Sequence, residues 1–150
     1  MSEIELMELI RKLERKIAKM EVQDSPRWVY LTSPLTSTSW DGDSYSTTAK
    51  TVIDLSAVFG VPTGAKAVLV LLSAKDSGSA ASTNVYMLLS PNDTAYVGAL
   101  WVMLNGVPDD TAVDETGIVP CSATGDIYYQ IVTTGEGTMD VNIQIWGYAI

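Results

Sequence analysis

The last twelve residues, Met139 to Ile150, read MDVNIQIWGYAI. Val141, Ile143 and Ile145 alternate with Asn142 and Gln144. Successive side chains of an extended chain point to opposite faces, so this alternation sets one face on a core and the other in water. The stretch therefore reads as a half-buried strand of an antiparallel sheet. Working back from it, the chain after Pro26 is rich in β-branched and aromatic residues and is cut by Gly, Pro, Asn, Asp and Ser. Strands are expected at Arg27–Leu31, Lys50–Leu55, Ala67–Ser73, Val85–Leu89, Tyr96–Leu104, Thr111–Val119 and Ile127–Thr133. Thr32–Ser39 is polar, contains Pro34 and reads as a loop. Ser77–Ser82 reads as a hairpin loop, and Gly135-Glu136-Gly137 as the turn of a closing hairpin. About eight short strands at this spacing predict a mainly β fold, an antiparallel β-sandwich of jelly-roll type.

Two of these strands are apolar on both faces, Ala67–Leu72 and the stretch Val97–Leu104. A sandwich covers one face of each strand. The second face needs a loop or a neighbouring subunit, and the subunit is the expectation. For Val97–Leu104, one side is expected in the core and the other against another copy.

The reason to expect copies lies at the N-terminus. Leu6 to Met20 reads LMELIRKLERKIAKM. Leu6, Ile10, Leu13, Ile17 and Met20 are spaced four, three, four, three, which is a heptad seam with Ile10 and Ile17 at a and the others at d. A lone helix of this length is marginal in water, so a partner must cover the seam. Ser2 and Glu5 have capping-box spacing, and Pro26 ends the helix near Asp24. Residues 1–24 are thus read as a coiled-coil oligomerisation helix and 25–150 as the β-sandwich domain. Isoleucine at a with leucine at d favours two strands. Met7 and Leu9 at e and g widen the stripe, and Lys16-Ile17-Ala18-Lys19-Met20-Glu21 is similar to a pattern of short trimeric coils, with Lys in place of Arg. A homotrimer is the expectation and a dimer the runner-up. The plain alternative is an amphipathic helix lying on its own domain.

Apolar residues make up 47 % of the chain, enough for a packed core and too many for a disordered chain. The net charge of −9 sits mostly after residue 24, where twelve acidic side chains face only Arg27, Lys50, Lys66 and Lys75. Such a surface repels phosphate backbones, so nucleic acid is not an expected partner. MSEIELMELI lacks the basic and apolar regions of a secretory signal, and the apolar run Ala67–Leu72 is a strand's length, so no membrane insertion is expected. Production in the cytoplasm follows from that reading. The single cysteine, Cys121, excludes an intrachain disulfide and reads as a small buried apolar residue.

Chemistry is hard to find. Histidine is absent, which removes the commonest general base and metal ligand. Nucleophile elbow, P-loop, dinucleotide fingerprint and zinc spacing are also missing. No catalytic residue, metal ligand or cofactor is expected, and the chain is read as not an enzyme. Asp41-Gly42-Asp43-Ser44 has the start of a calcium loop, but its glycine is misplaced and no bidentate Glu follows. Asp109-Asp110 and Asp114-Glu115 are crowded carboxylates, and a glycosidase would need two facing each other, which spacing alone does not show. The better lead is aromatic. Trp40 and Tyr45 flank Asp41 and Asp43, a combination that suits a sugar: rings cover its apolar face and carboxylates take its hydroxyls. Core packing or subunit contact is the plainer use of Trp28, Trp40, Trp101 and Trp146.

The whole pattern, a short N-terminal coil followed by a Ser-, Thr- and Gly-rich β-sandwich, resembles the small trimeric fibre and attachment proteins of tailed bacteriophages. SWDGDSYSTTAKTVIDLS, VPTGAKAVLVLLSAKDSGS, LLSPNDT, GIVPC, GDIYYQ and IQIWGYAI carry the resemblance. It implies a non-enzymatic virion protein, trimeric, bound to another virion protein at its N-terminal end and to a host surface glycan at the other. It also implies assembly in a bacterial cytoplasm and release by lysis. None of these segments is a functional signature, so the resemblance carries over no functional residue. The coil spans only about three heptads, a docking peg rather than a shaft. A capsid decoration protein is therefore an alternative, and a carbohydrate-binding module another.

Overall fold

The computed structural model describes residues 2–23, 26–37, 39–40, 42, 47–133 and 139–150. Helix α1 spans Glu3–Gln23. Its start is the expected capping box: the Ser2 N–H donates to Glu5 Oε2 at 2.7 Å, and the Glu5 N–H donates to Ser2 Oγ at 3.3 Å. Glu3 and Glu5 add negative charge where the helix dipole is positive.

Among the described residues eight strands follow: β1 Trp28–Leu35, β2 Thr47–Ile53, β3 Ala67–Lys75, β4 Tyr86–Ser90, β5 Leu100–Met103, β6 Val113–Pro120, β7 Ile127–Val132 and β8 Asp140–Ala149. They pair antiparallel in two four-stranded sheets, ordered β1-β8-β3-β6 and β2-β7-β4-β5. The core lies between the sheets, the layering of a β-sandwich. Val68, Val70, Leu72 and Ala74 of β3, with Ile143 and Ile145 of β8, meet Met87 and Leu89 of β4 and Ile127, Tyr129 and Ile131 of β7. The alternation of β8 is as its sequence implies, with Ile143 and Ile145 buried and Asn142 exposed.

Several expectations are corrected. β7 and β8 are no hairpin, because they belong to different sheets; the expected turn at 135–137 lies outside the described residues. β3 and β4 likewise sit in different sheets, so Ser77–Ser82 is a crossing between layers. β1 continues through Pro34 to Leu35, where a loop is expected from sequence. It is an edge strand, where a missing N–H leaves no ladder bond unmade, and its register shifts between Tyr30 and Leu35. Leu55 ends no strand but opens a five-residue helix, α2 at Leu55–Phe59. Asp54 caps it by accepting the Ala57 N–H at 2.9 Å, and Gly60 closes it at φ 75°.

The expected strand Tyr96–Leu104 is shortened to β5. Tyr96 sits at φ 62°, outside extended backbone, and residues before Leu100 form a segment over the outer face of the second sheet. Beneath it lies a small cluster of Tyr86, Leu88 and Val132 with Trp101 packed against it. The Tyr96 N–H donates to Gln130 Oε1 at 2.9 Å. The Lys50 ammonium donates to Ser90 Oγ, the Val97 carbonyl and, at 3.2 Å, the Asn92 carbonyl. Of the two sides that sequence leaves open, the one with Leu100 and Val102 fills the core, and the cover of Trp101 comes from the chain itself. Val97 and Met103 remain exposed.

Candidate functional site

The seam residues of α1 stand out for their exposure. Leu6, Ile10, Leu13, Ile17 and Met20 are between 42 and 64 % exposed, and Met7 and Leu9 beside them are also open. In this structure the helix does not lay its seam on its own domain. An apolar stripe of seven side chains on one helix can do one thing well, which is to pack against apolar side chains of another surface. Its charged residues, Glu8, Arg11, Lys12, Glu14, Arg15 and Lys16, are exposed around that stripe.

The second exposed apolar area is the outer face of the β1-β8-β3-β6 sheet. Residues paired across strands share a face. The register aligns Tyr30, Gly147, Leu69 and Ile118 in one row, and Trp28, Ala149, Ala67 and Pro120 in the next. Tyr30 is 72 % and Ile118 54 % exposed. Trp28 and Tyr30 stack with ring centroids 6.1 Å apart. Trp146 is half-buried and donates its indole N–H to Gln144 Oε1 at 3.2 Å, two residues away in β8. The two-sided run Ala67–Leu72 points to this face from sequence, and Trp28 is among the tryptophans given core packing or subunit contact, whereas Tyr30 and Ile118 are not singled out. The alternation of Trp28, Val29 and Tyr30 was the available signal.

The sugar-site candidates are only partly placed. Trp40 is half-buried against the core, with its ring edge-on to Tyr129 at 5.5 Å and tilted to Phe59 at 6.5 Å. Its ring is thus engaged with the core, the plainer of the two uses. Asp41, Asp43 and Tyr45 lie outside the described residues, as does the greater part of the calcium-like loop. The acidic pairs do not converge on one another. Asp109 Oδ1 accepts the Ala80 N–H at 2.9 Å, and Asp110 sits at φ 58° with its N–H on the Asp76 carbonyl. Asp114 and Glu115 are neighbours in β6 and so point to opposite faces. Cys121 is half-buried, and burial, then Asp126, push its thiol up to about 11. It is a protonated thiol at neutral pH, a poor nucleophile. Among the described residues no helix is long and apolar enough to cross a membrane.

No protein-family model matches this chain, and no curated protein matches it either. The exposed seam is the observation from which a function has to be argued.

Proposed function

We propose that this chain is a non-enzymatic structural and attachment protein of a virion, joined in threes through α1. Residues 25–150 form the head that it presents for surface binding. The observation that carries this reading is the exposed heptad seam, an apolar stripe that water penalises until other helices cover it. Burying five such side chains completely is worth about 1.5–3 kcal/mol each. They are already half-covered by their own helix, which leaves roughly 4–8 kcal/mol per chain, against an association cost of about 4–15 kcal/mol. The coil is therefore near break-even alone, as suits a short peg that works with further contacts.

The jelly-roll form of the head is part of the same proposal. The pairs β1–β8, β2–β7, β3–β6 and β4–β5 are those that rolling up one long hairpin would make. The architecture recurs in viral capsid and lectin domains, an analogy of fold alone. The resemblance to phage fibre proteins and the absence of histidine point the same way.

The test is immunogold electron microscopy of particles from a lysate of the source cells, with an antibody against the head. Label on tailed particles is expected. Its position, on the tail or on the capsid shell, separates an attachment role from a decoration role. Label confined to particle-free fractions overturns the reading.

A further inference from the structure

The outer face of the β1-β8-β3-β6 sheet changes character along its length. One end holds Trp28, Tyr30, Leu69 and Ile118. At the other, Ser73 pairs with Asn142 and Asp114, and Lys75 bridges Asp140 at 2.7 Å. The apolar end is where the chain arrives from the helix. There the Arg27 N–H donates to the Ile150 carbonyl at 2.9 Å, and the Ile150 N–H to the Arg27 carbonyl at 3.0 Å. Five Cα steps separate Gln23, the last residue of α1, from Trp28, so the two lie at most about 18 Å apart.

We propose that this apolar end is a second subunit contact, occupied by the head of a neighbouring copy of this chain. The proposal rests on the trimer reading above and names where the heads meet. Packed helices run about 8–10 Å apart. The tether then confines the aromatic pairs of all copies to one region at the foot of the coil, while the polar ends point away. Charge agrees. Of the four cations in residues 25–150, Lys75 is paired with Asp140 and Lys50 holds the segment over the second sheet. The other two, Arg27 and Lys66, are exposed beside the apolar end. Lys66 donates its N–H to Ala149 there, at 2.8 Å. A copy of this chain, with twelve acidic side chains after residue 24, is a suitable neighbour for that cationic rim.

The experiment uses the full chain carrying Tyr30→Glu and Ile118→Glu, with sedimentation followed over a dilution series. Both side chains are exposed, so the head keeps its fold, checked by circular dichroism. The expected result is dissociation at a concentration at least about tenfold higher than for the unsubstituted chain, the step that one lost contact of ordinary strength gives. Should that variant fold poorly, Tyr30→Ser with Ile118→Thr is expected to shift dissociation in the same direction by less. An unsubstituted chain that assembles, with a variant that dissociates at the same concentration, overturns this contact and leaves the coil reading standing. An unsubstituted monomer overturns both. If the variants assemble normally but lose retardation in polysaccharide-containing gels, the face takes a glycan and the proposed contact is overturned.

Discussion

Asp54 and Gly98 show how single residues shape this chain. Asp54 caps α2 through the Ala57 N–H and also accepts the Ser56 hydroxyl at 2.8 Å. These bonds hold its carboxyl below the ordinary value of 3.8. A depressed carboxylate contributes stability that is present above the unfolded value and lost as pH falls through the folded one. The chain is therefore expected to melt higher than an Asp54→Asn variant at neutral pH, with the gap closing on acidification below 3.8. Thermal melts across that range measure it, and a constant gap contradicts it. Gly98 matters for the space it leaves. A Cβ there would lie 2.5 Å from Trp101 Nε1 and 3.0 Å from Leu88 Cβ, and the Trp101 indole N–H donates to the Gly98 carbonyl at 3.2 Å. Gly98→Val is expected to cost about 1–3 kcal/mol by overpacking, read from denaturant midpoints. A variant as stable as the parent would mean that the segment over Trp101 is not held closely. Trp40 is the instructive residue for function. Its neighbours in sequence suggest a sugar site, while its neighbours in space, Phe59 and Tyr129, are core residues that no local pattern reveals.

At the scale of elements, what the sequence made legible was local. The capping box of α1 and the two-residue period of β8 each depend on residues a few positions apart, and both are found where expected. Partner choice was not legible. Adjacency in the chain suggests a closing hairpin, yet β7 pairs with β2 and β4, and β8 with β1 and β3. Those pairings join residues far apart in the chain, and turn chemistry cannot show them. α2 escaped because five residues are too few for a helical period, and only its flanking Asp54 and Gly60 announce it. From sequence β1 ends at Leu31, because Thr32–Ser39 is polar and contains Pro34, yet proline is admitted in an edge strand and β1 runs on to Leu35. The element with the most direct consequence is α1. Replacing Ile10 and Ile17 with Asp places charges where the seam would be buried. The expected outcome is loss of assembly by size-exclusion chromatography, with the β-rich circular dichroism unchanged. Normal assembly of that variant would remove α1 from the account.

At the scale of the whole molecule, the described residues join two covered cores to two uncovered apolar surfaces. Between the sheets, and under the segment before β5, side chains are enclosed by the chain itself. The seam of α1 and the Trp28–Tyr30 end of the first sheet are not, and the short tether sets them close together. Contiguous exposed apolar patches mark interaction sites in soluble proteins. A charge of −9 favours solubility and disfavours loose clumping, so assembly has to come from specific contacts. The central claim is that α1 joins three copies. Light scattering on the intact chain at micromolar concentration measures this directly: the account predicts three times 16.2 kDa, whereas the mass of a single chain would contradict it.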